Sequence, residues 1–281
     1  MTIRLAVAQI TGIPFQADLN RARTIRVAEE AFVGGADLVL LPELIIPGYV
    51  SDQEGLATIA EPIDGPTVDA WRSLAAQHAG WVAGGFAEVD DGMLYNSAVL
   101  VGADGVLIHY RKLHLFSAER EVFSPGDLGL PVVDLPWGRV GLCICYDLRF
   151  PEIVRGLGLR ECRVVLVPTA WVTGFDTERR DIEGYAPQAR AAAVQANLSQ
   201  VFIACASQVG DTGQADLLGS SLLVDPHGRS VIGPLGDAEE TAAADIDPSA
   251  ADQAQNRGSG INPRQNRRTD IYRLWLEGEE L

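Results

Sequence analysis

The sequence predicts an α/β protein with mixed sheets, and three observations carry that expectation. Short apolar runs rich in β-branched residues recur along the chain, helical patterns fall between some of them, and hairpin turns join others. Alternating strands and helices imply parallel crossovers, whereas hairpins imply antiparallel pairs. Sheets of mixed direction, covered by helices, are therefore expected.

The expected strands, in order, are Ile3 to Gln9, Asp37 to Leu41, Trp81 to Ala87, Leu94 to Val101, Val106 to Tyr110, Arg139 to Cys143, Val164 to Val167, Val201 to Ala206, Leu217 to Val224 and Thr241 to Ile246. Most run four to eight residues and are bounded by Gly, Pro or Asp, as buried strands are. Helices are expected at Ala17 to Gly34, Thr67 to Ala79, Pro151 to Leu157 and, through a run of alanines, Glu178 to Gln200. Asp104-Gly105 and Pro226-His227-Gly228-Arg229 have the composition of hairpin turns. No Gly/Ser or Pro-rich linker, repeat or low-complexity tract interrupts residues 1 to 246, so residues 1–281 read as a single domain. Residues 247–281 are more polar, but Ile271, Tyr272 and Trp275 are costly to leave in water, and the tail is expected to dock rather than to hang loose.

Composition narrows the function classes. A formal charge of −16, from 22 basic and 38 acidic residues, repels phosphate backbones and anionic headgroups. No nucleic-acid or membrane partner is expected, and a small molecule is. No apolar run approaches the ~18 residues of a membrane span, and Met1 to Gln9 reads as a strand rather than a signal peptide. Cys143, Cys145, Cys162 and Cys205 are too few and too irregular for a disulfide scaffold. Free thiols suit a reducing compartment, so a cytoplasmic location is expected.

Several chemistries lack their signatures: there is no Gly-x-Ser-x-Gly elbow, no phosphate-binding Gly-x-x-x-x-Gly-Lys-Ser/Thr and no His-Glu-x-x-His. His78, His109, His114 and His227 are scattered, which argues against a zinc site, and neither a metal nor another cofactor is expected. A histidine-assisted cysteine would require His109, His114 or His227 as its base.

The segment from Gly138 to Glu152 is the informative one. An apolar strand ends at Cys145 and turns quickly toward Pro151, a residue suited to the first position of a helix. A thiol on such an elbow sits beside unpaired backbone N–H groups, which favour its thiolate and can hold an oxyanion. Cys143, Cys162 and Cys205 read as core residues. Two further segments place charge in apolar surroundings: Leu38-Val39-Leu40-Leu41-Pro42-Glu43-Leu44 and Tyr110-Arg111-Lys112-Leu113-His114-Leu115-Phe116.

Leu41-Pro42-Glu43, Arg111-Lys112-Leu113-His114-Leu115-Phe116 and Cys145-Tyr146-Asp147-Leu148-Arg149-Phe150-Pro151-Glu152, in that order, resemble the nitrilase superfamily of carbon–nitrogen hydrolases. The resemblance extends from Pro42 through Tyr49, to Phe123-Ser124-Pro125-Gly126-Asp127, to Gly219-Ser220-Ser221 ahead of Asp225-Pro226-His227-Gly228, and to Arg267-Arg268-Thr269-Asp270-Ile271-Tyr272, so it covers nearly the whole chain. It implies a four-layer αββα sandwich, pairing into dimers or larger even homo-oligomers through the helix after Cys145, with the tail crossing to the partner. It also implies Glu43 as general base, Lys112 as cationic partner and Cys145 as nucleophile. A second glutamate falls on Glu119, with Glu121 as its neighbouring alternative.

One stretch departs from the pattern. Many relatives carry Arg-Ala-x-Glu-Asn in the long helix, whereas this chain reads Ala189-Arg190-Ala191-Ala192-Ala193-Val194-Gln195-Ala196-Asn197 and lacks the acid. Packing behind the site, rather than reaction class, is what that change touches.

The resemblance implies an amidase acting on a small aliphatic carboxamide, with an N-carbamoyl hydrolase next and a nitrilase proper third. A catalytically silent interaction subunit is the alternative of a different class, and the complete Glu43, Lys112 and Cys145 set argues against it. Arg149, four residues past Cys145, either grips a substrate carboxylate or pairs with Glu152 or Asp147. Tyr49, Tyr146 and Trp171 either wall the substrate pocket or belong to the core.

Overall fold

The computed structural model describes all 281 residues. The first half runs β1 (Ile3–Gln9), α1 (Ala17–Val33), β2 (Leu38–Leu40), α2 (Gln53–Ile59), α3 (Pro66–His78), β3 (Trp81–Asp90), β4 (Met93–Gly102), β5 (Gly105–Arg111) and α4 (Glu119–Val122). The middle holds β6 (Val132–Leu135), β7 (Gly138–Leu142), a 3-10 turn at Cys145–Arg149, α5 (Pro151–Leu159), β8 (Val164–Thr169), α6 (Pro187–Ser199) and β9 (Phe202–Ser207). There follow β10 (Val209–Asp211), β11 (Asp216–Leu218), β12 (Leu222–Val224), β13 (Ser230–Ile232), β14 (Glu240–Ile246), α7 (Ala250–Ala254) and the small pair β15 (Trp275–Leu276) and β16 (Glu279–Glu280).

Two six-stranded sheets result, ordered β14-β1-β2-β3-β4-β5 and β13-β12-β9-β8-β7-β6. Each has a parallel centre, β1-β2-β3 or β7-β8-β9, extended by antiparallel strands. Strand alternation assigns the layers. Leu5 and Val7 of β1 and Leu38 and Leu40 of β2 join residues of β7, β8 and β9 in one buried cluster of 47. The intervening Ala6, Ala8 and Val39 face Val27, Phe32, Val68 and Trp71 of α1 and α3. On the far side of the second sheet α5 packs on α6, and α6 on β9 and β12. The expected αββα sandwich is therefore present.

Short elements such as β6, β10, β13, α2 and α4 were not expected, several strands and helices end a few residues from their expected bounds, and two departures are larger. Leu217 to Val224 is two strands, because Gly219 and Ser220 both adopt φ near +62° and turn the chain at the close approach to Gln9. There, Gln9 Oε1 accepts the Ser221 N–H at 3.0 Å. The helix expected from Glu178 begins only at Pro187. Asp181 Oδ1 accepts the N–H groups of Glu183 and Tyr185, and Gly184 at φ +84° completes a turn that the alanine-based pattern does not reveal.

The tail is held to its own chain by groups other than those that predicted docking. Leu276 packs at Gly156, and Glu277 binds the Leu130 N–H and Arg160, while Arg264 Nη2 reaches the carbonyls of Ser199 and Gln200. Ile271, Tyr272 and Trp275 are exposed on the single chain.

Candidate active site

Three strand ends converge. Glu43 follows β2 in the first sheet, Lys112 follows β5 at that sheet's edge, and Cys145 follows β7 in the second sheet. Each backbone position is tied down by hydrogen bonds across elements. The Glu43 N–H donates to Thr169 O and the Glu43 carbonyl accepts from Gln208 Nε2 at 2.7 Å, which links the two sheets at this residue. Gly85 has to be glycine here, since a Cβ would lie 2.7 Å from the Glu43 Cα. Lys112 is held on both sides, its N–H on Asn96 O and its carbonyl on the Gly126 N–H, both at 2.8 Å.

Cys145 occupies φ +43°, a left-handed conformation that a residue with a side chain adopts only when its surroundings enforce it. Asp147 supplies the enforcement. Its buried carboxylate accepts the Ile144 N–H at 3.0 Å, the Tyr110 hydroxyl at 2.7 Å, the His114 N–H at 3.0 Å and a hydrogen bond with His114 Nδ1 at 2.8 Å. One carboxylate thus clamps the cysteine elbow to the loop that carries Lys112. Pro151 does start α5, but one 3-10 turn intervenes between it and the elbow.

The side chains of Lys112, Glu43 and Glu119 form a buried ion cluster. Lys112 Nζ lies 2.6 Å from Glu43 Oε1 and 2.9 and 2.7 Å from the two oxygens of Glu119. Asn96 Nδ2 also donates to Glu43 Oε1, whereas Glu43 Oε2 has no partner. Glu119 further accepts the Tyr49 hydroxyl at 2.9 Å and the Phe116 N–H at 3.0 Å. Glu121 is exposed, so the glutamate on Lys112 is Glu119.

Charge balance sets the protonation states. Burial lowers the Lys112 pKa, but the charges of Glu119 and Glu43 outweigh it, and the ammonium is held well above the ordinary lysine range. Burial pushes Glu43 up, Lys112 opposes that and Glu119 adds to it, leaving the carboxyl raised. The Cys145 thiol is pushed far above its ordinary value, by burial first and then by Glu43, with Lys112 and the Ala170 N–H working the other way. A second anion is disfavoured beside Glu43, so the resting cysteine is held as the thiol.

The narrow cleft over Cys145 is lined by Phe116, Tyr146, Arg149, Trp171, Phe175 and Gln188 among others. Two of the expected wall residues, Tyr146 and Trp171, are there. Tyr49 is not among the lining residues: its hydroxyl is on Glu119, bracing the ion cluster. Neither Asp147 nor Glu152 pairs with Arg149. Asp147 is saturated by Tyr110, Ile144 and His114, and the guanidinium stacks over the Phe175 ring, 4.9 Å from its centroid. The histidine alternatives are engaged elsewhere, His109 with Glu88, His114 with Asp147 and His227 with Arg257.

Residues missed by sequence reasoning are Asn96, Asp147, Phe116, Phe175, Gln188 and Gln208. Asn96 had a legible signal, a polar residue within an apolar strand. Phe175 and Gln188 had none, because Phe175 lies in an irregular stretch ahead of the expected helix and Gln188 reads as an ordinary polar residue within it. Cys143, Cys162 and Cys205 are buried free thiols, as expected of core residues.

A family profile described as "Carbon-nitrogen hydrolase" matches residues 4–256. The chain is 33% identical over 283 residues to an (R)-stereoselective amidase of a Pseudomonas species, covering 99% of this chain and 94% of that one. It is 34% identical to a nitrilase of Pyrococcus abyssi, over 87% of this chain and 90% of that one. A mutant of the amidase from Nesterenkonia sp. AN1, carrying the Michael adduct of acrylamide at its active site cysteine, superposes with a TM-score of 0.79 at 25% identity, over 96% of this chain and 98% of that one. With the profile spanning most of the chain and full-length relatives sharing about a third of its residues, this protein belongs to the carbon–nitrogen hydrolases of the nitrilase superfamily.

Proposed function

We propose that the chain hydrolyses a small aliphatic carboxamide to a carboxylate and ammonia, through a thioester on Cys145. The observation that carries this reading is Lys112 clamped between Glu43 and Glu119 while Glu43 Oε2 stays unbonded. Such a carboxylate is a base with one oxygen committed to alignment and one left for chemistry.

In the first half-reaction the Cys145 thiol gives its proton to Glu43 and Sγ bonds to the amide carbon. The oxyanion is stabilised by Lys112 and by the Tyr146 N–H, in the first turn after the elbow. Two of the three contacts of Lys112 Nζ fall on one carboxylate, so one can be exchanged for the oxyanion. Glu43 returns the proton to the nitrogen, the C–N bond breaks and ammonia leaves. In the second half-reaction Glu43 takes a proton from water, the hydroxide adds to the thioester carbon, and the C–S bond breaks as the thiol is reprotonated. Glu119 fixes Lys112 throughout.

Arg149 favours carboxylate-bearing amides or N-carbamoyl acids within this class, since its guanidinium lines the cleft with no acidic partner. The exposed Ile271, Tyr272 and Trp275 suit burial against a second copy of the chain, in line with a homo-oligomer.

The test is a screen of amides, N-carbamoyl compounds and nitriles for released ammonia, with mass detection of an acyl group on Cys145. Amides are expected to give the highest kcat/KM. Arg149→Gln is expected to lower the preference for a carboxylate-bearing amide over a neutral one of equal size by about tenfold. Turnover of nitriles alone would replace the amidase reading, and an unchanged preference would remove Arg149 from recognition.

A further inference from the structure

Asn96 is a fully buried polar side chain inside β4, and its one side-chain hydrogen bond goes to the base. Nδ2 donates to Glu43 Oε1 at 2.8 Å, while Oδ1 has no partner. The orientation of the amide is fixed, since reversing it would set Oδ1 against a carboxylate oxygen. For packing alone, a leucine of similar volume would fill the space with no buried oxygen left unpaired.

The same residue also holds the cation. Its backbone carbonyl accepts the Lys112 N–H at 2.8 Å. The sheet order β2-β3-β4-β5 sets Asn96 between the groups it contacts, Glu43 after β2 and Lys112 after β5. The intervening β3 is small here, with Ala87 paired opposite Asn96 and Gly85 against the Glu43 Cα.

Both donors to Glu43, Lys112 Nζ and Asn96 Nδ2, fall on Oε1. Neither nitrogen can accept a hydrogen bond, so a proton on Oε1 would face two donors, and the proton taken from Cys145 or from water belongs on Oε2. The two clamps differ in permanence. Lys112 is also needed at the oxyanion and holds Glu119 as well, whereas the Asn96 side chain has no other partner and does not line the cleft. Oε1 stays an acceptor whether Glu43 is ionised or protonated, and a neutral donor fits both forms. The titratable groups around Glu43 are Lys112, Glu119, Cys145 and Tyr49. Burial raises the Glu43 carboxyl and Glu119 adds to that, while Lys112 and the Asn96 hydrogen bond oppose it.

We propose that Asn96 is a positioning residue that confines proton transfer at Glu43 to Oε2 and keeps that oxygen aligned while Lys112 turns to the oxyanion. This deepens the amidase reading and rests on it for Glu43 as base.

Asn96→Leu removes the donor at similar volume, Asn96→Ser keeps a shorter one, and Glu43→Gln tests the base itself. Each is compared with wild type in ammonia release from propionamide, in the pH profile of kcat/KM and in melting temperature. Alkylation of Cys145 by iodoacetamide, followed by mass across pH, needs no turnover: Sγ bonds to the methylene carbon, iodide leaves and the thiol proton passes to Glu43.

Asn96→Leu is expected to lower kcat by roughly ten- to a hundredfold with KM unchanged within about twofold. The acid limbs of kcat/KM and of alkylation should both move to higher pH, because the carboxylate has lost a donor that favours its ionised form. Asn96→Ser should move them the same way by less, and it decides the matter if Asn96→Leu does not fold. Acid limbs that stay in place while activity falls only with melting temperature, the signature of an Asn96 that merely packs β4, would overturn the proposal. So would a loss carried wholly by KM. Normal turnover and alkylation in Glu43→Gln would reject Glu43 as base and the proposal with it. Alkylation that follows Asn96 as expected, without ammonia from any amide, would instead reject the amidase reading and leave the positioning role standing.

Discussion

Replacing Lys112 by methionine removes the only cation from a cluster in which its side chain, like that of Glu43, is fully enclosed and that of Glu119 is 1% exposed. Methionine keeps the length and the apolar stem, so the loss is that of the charge and its three contacts. Breaking a buried ion pair by deleting one partner costs about 3–5 kcal/mol, since the remaining charge stays desolvated. At roughly 2–4 °C per kcal/mol for a chain near this size, the melting temperature should fall by about 10 °C.

The pH dependence identifies the cause. Without Lys112 the folded-state pKa of Glu43, already raised by burial, rises further above the unfolded value, and an acid with a raised folded pKa destabilises the fold above that unfolded value. The deficit should therefore be complete at alkaline pH and shrink as pH falls through the raised value toward the ordinary carboxylate range. Turnover at saturating substrate should fall by about 10²–10³, the cost of losing one oxyanion donor. Adding Glu119→Gln should recover melting temperature without recovering turnover. The assays are melting curves across pH and ammonia release. Near-normal turnover in Lys112→Met, or a deficit that grows toward acid, would refute the reasoning.

Cys145→Ala should lose turnover on the order of 10⁶-fold, the cost of removing a nucleophile that acts as one unit with its base, while its melting curve stays close to wild type. Cys143→Ala, a buried neighbour inside the core cluster, should keep most activity in the same ammonia assay, and equal loss in the two variants would misplace the nucleophile. Glu88→Gln addresses the network behind Lys112: burial opposes ionisation of Glu88, but hydrogen bonds from His109, Arg111 and Ser97 hold its carboxyl down at about 2. Its depressed folded pKa contributes stability that is present above the ordinary value near 4.5 and is lost as pH falls toward about 2. The Gln variant should melt lower near neutrality, and acid titration of the two proteins should converge over that window; parallel curves would exclude Glu88 as the source.

Much of the site was legible because its chemistry is carried by residue types that apolar surroundings normally exclude. Glu43 and Lys112 at strand ends, and Cys145 on an elbow before Pro151, are each weak signals alone, and it is their place in three ordered motifs resembling the nitrilase superfamily that singles them out. Sheet membership was equally visible, since the alternation in Ile3 to Gln9 and the apolar run at Leu38 to Leu41 follow from strand geometry. The same local rules failed at Glu178 to Ala186, where alanine content suggested helix but side-chain turns from Asp181 compete with it.

The sequence by itself determined most of the longer strands and helices and the mixed sheets, because periodicity and burial preference are local properties. The family resemblance of its motifs named the three central groups, and short elements such as β6, β10, β13 and α2 carry too little pattern to be read. Only the tertiary structure decided which residues meet. Glu119 rather than Glu121 faces Lys112, Tyr49 braces Glu119, Asp147 clamps the elbow and leaves Arg149 over the cleft, and Gln188 donates to the Val172 carbonyl at the edge of the same cleft. Those pairings depend on how two sheets stack and where long-range hydrogen bonds close, and hydrogen-bond saturation in three dimensions has no signature in the order of residues along a chain.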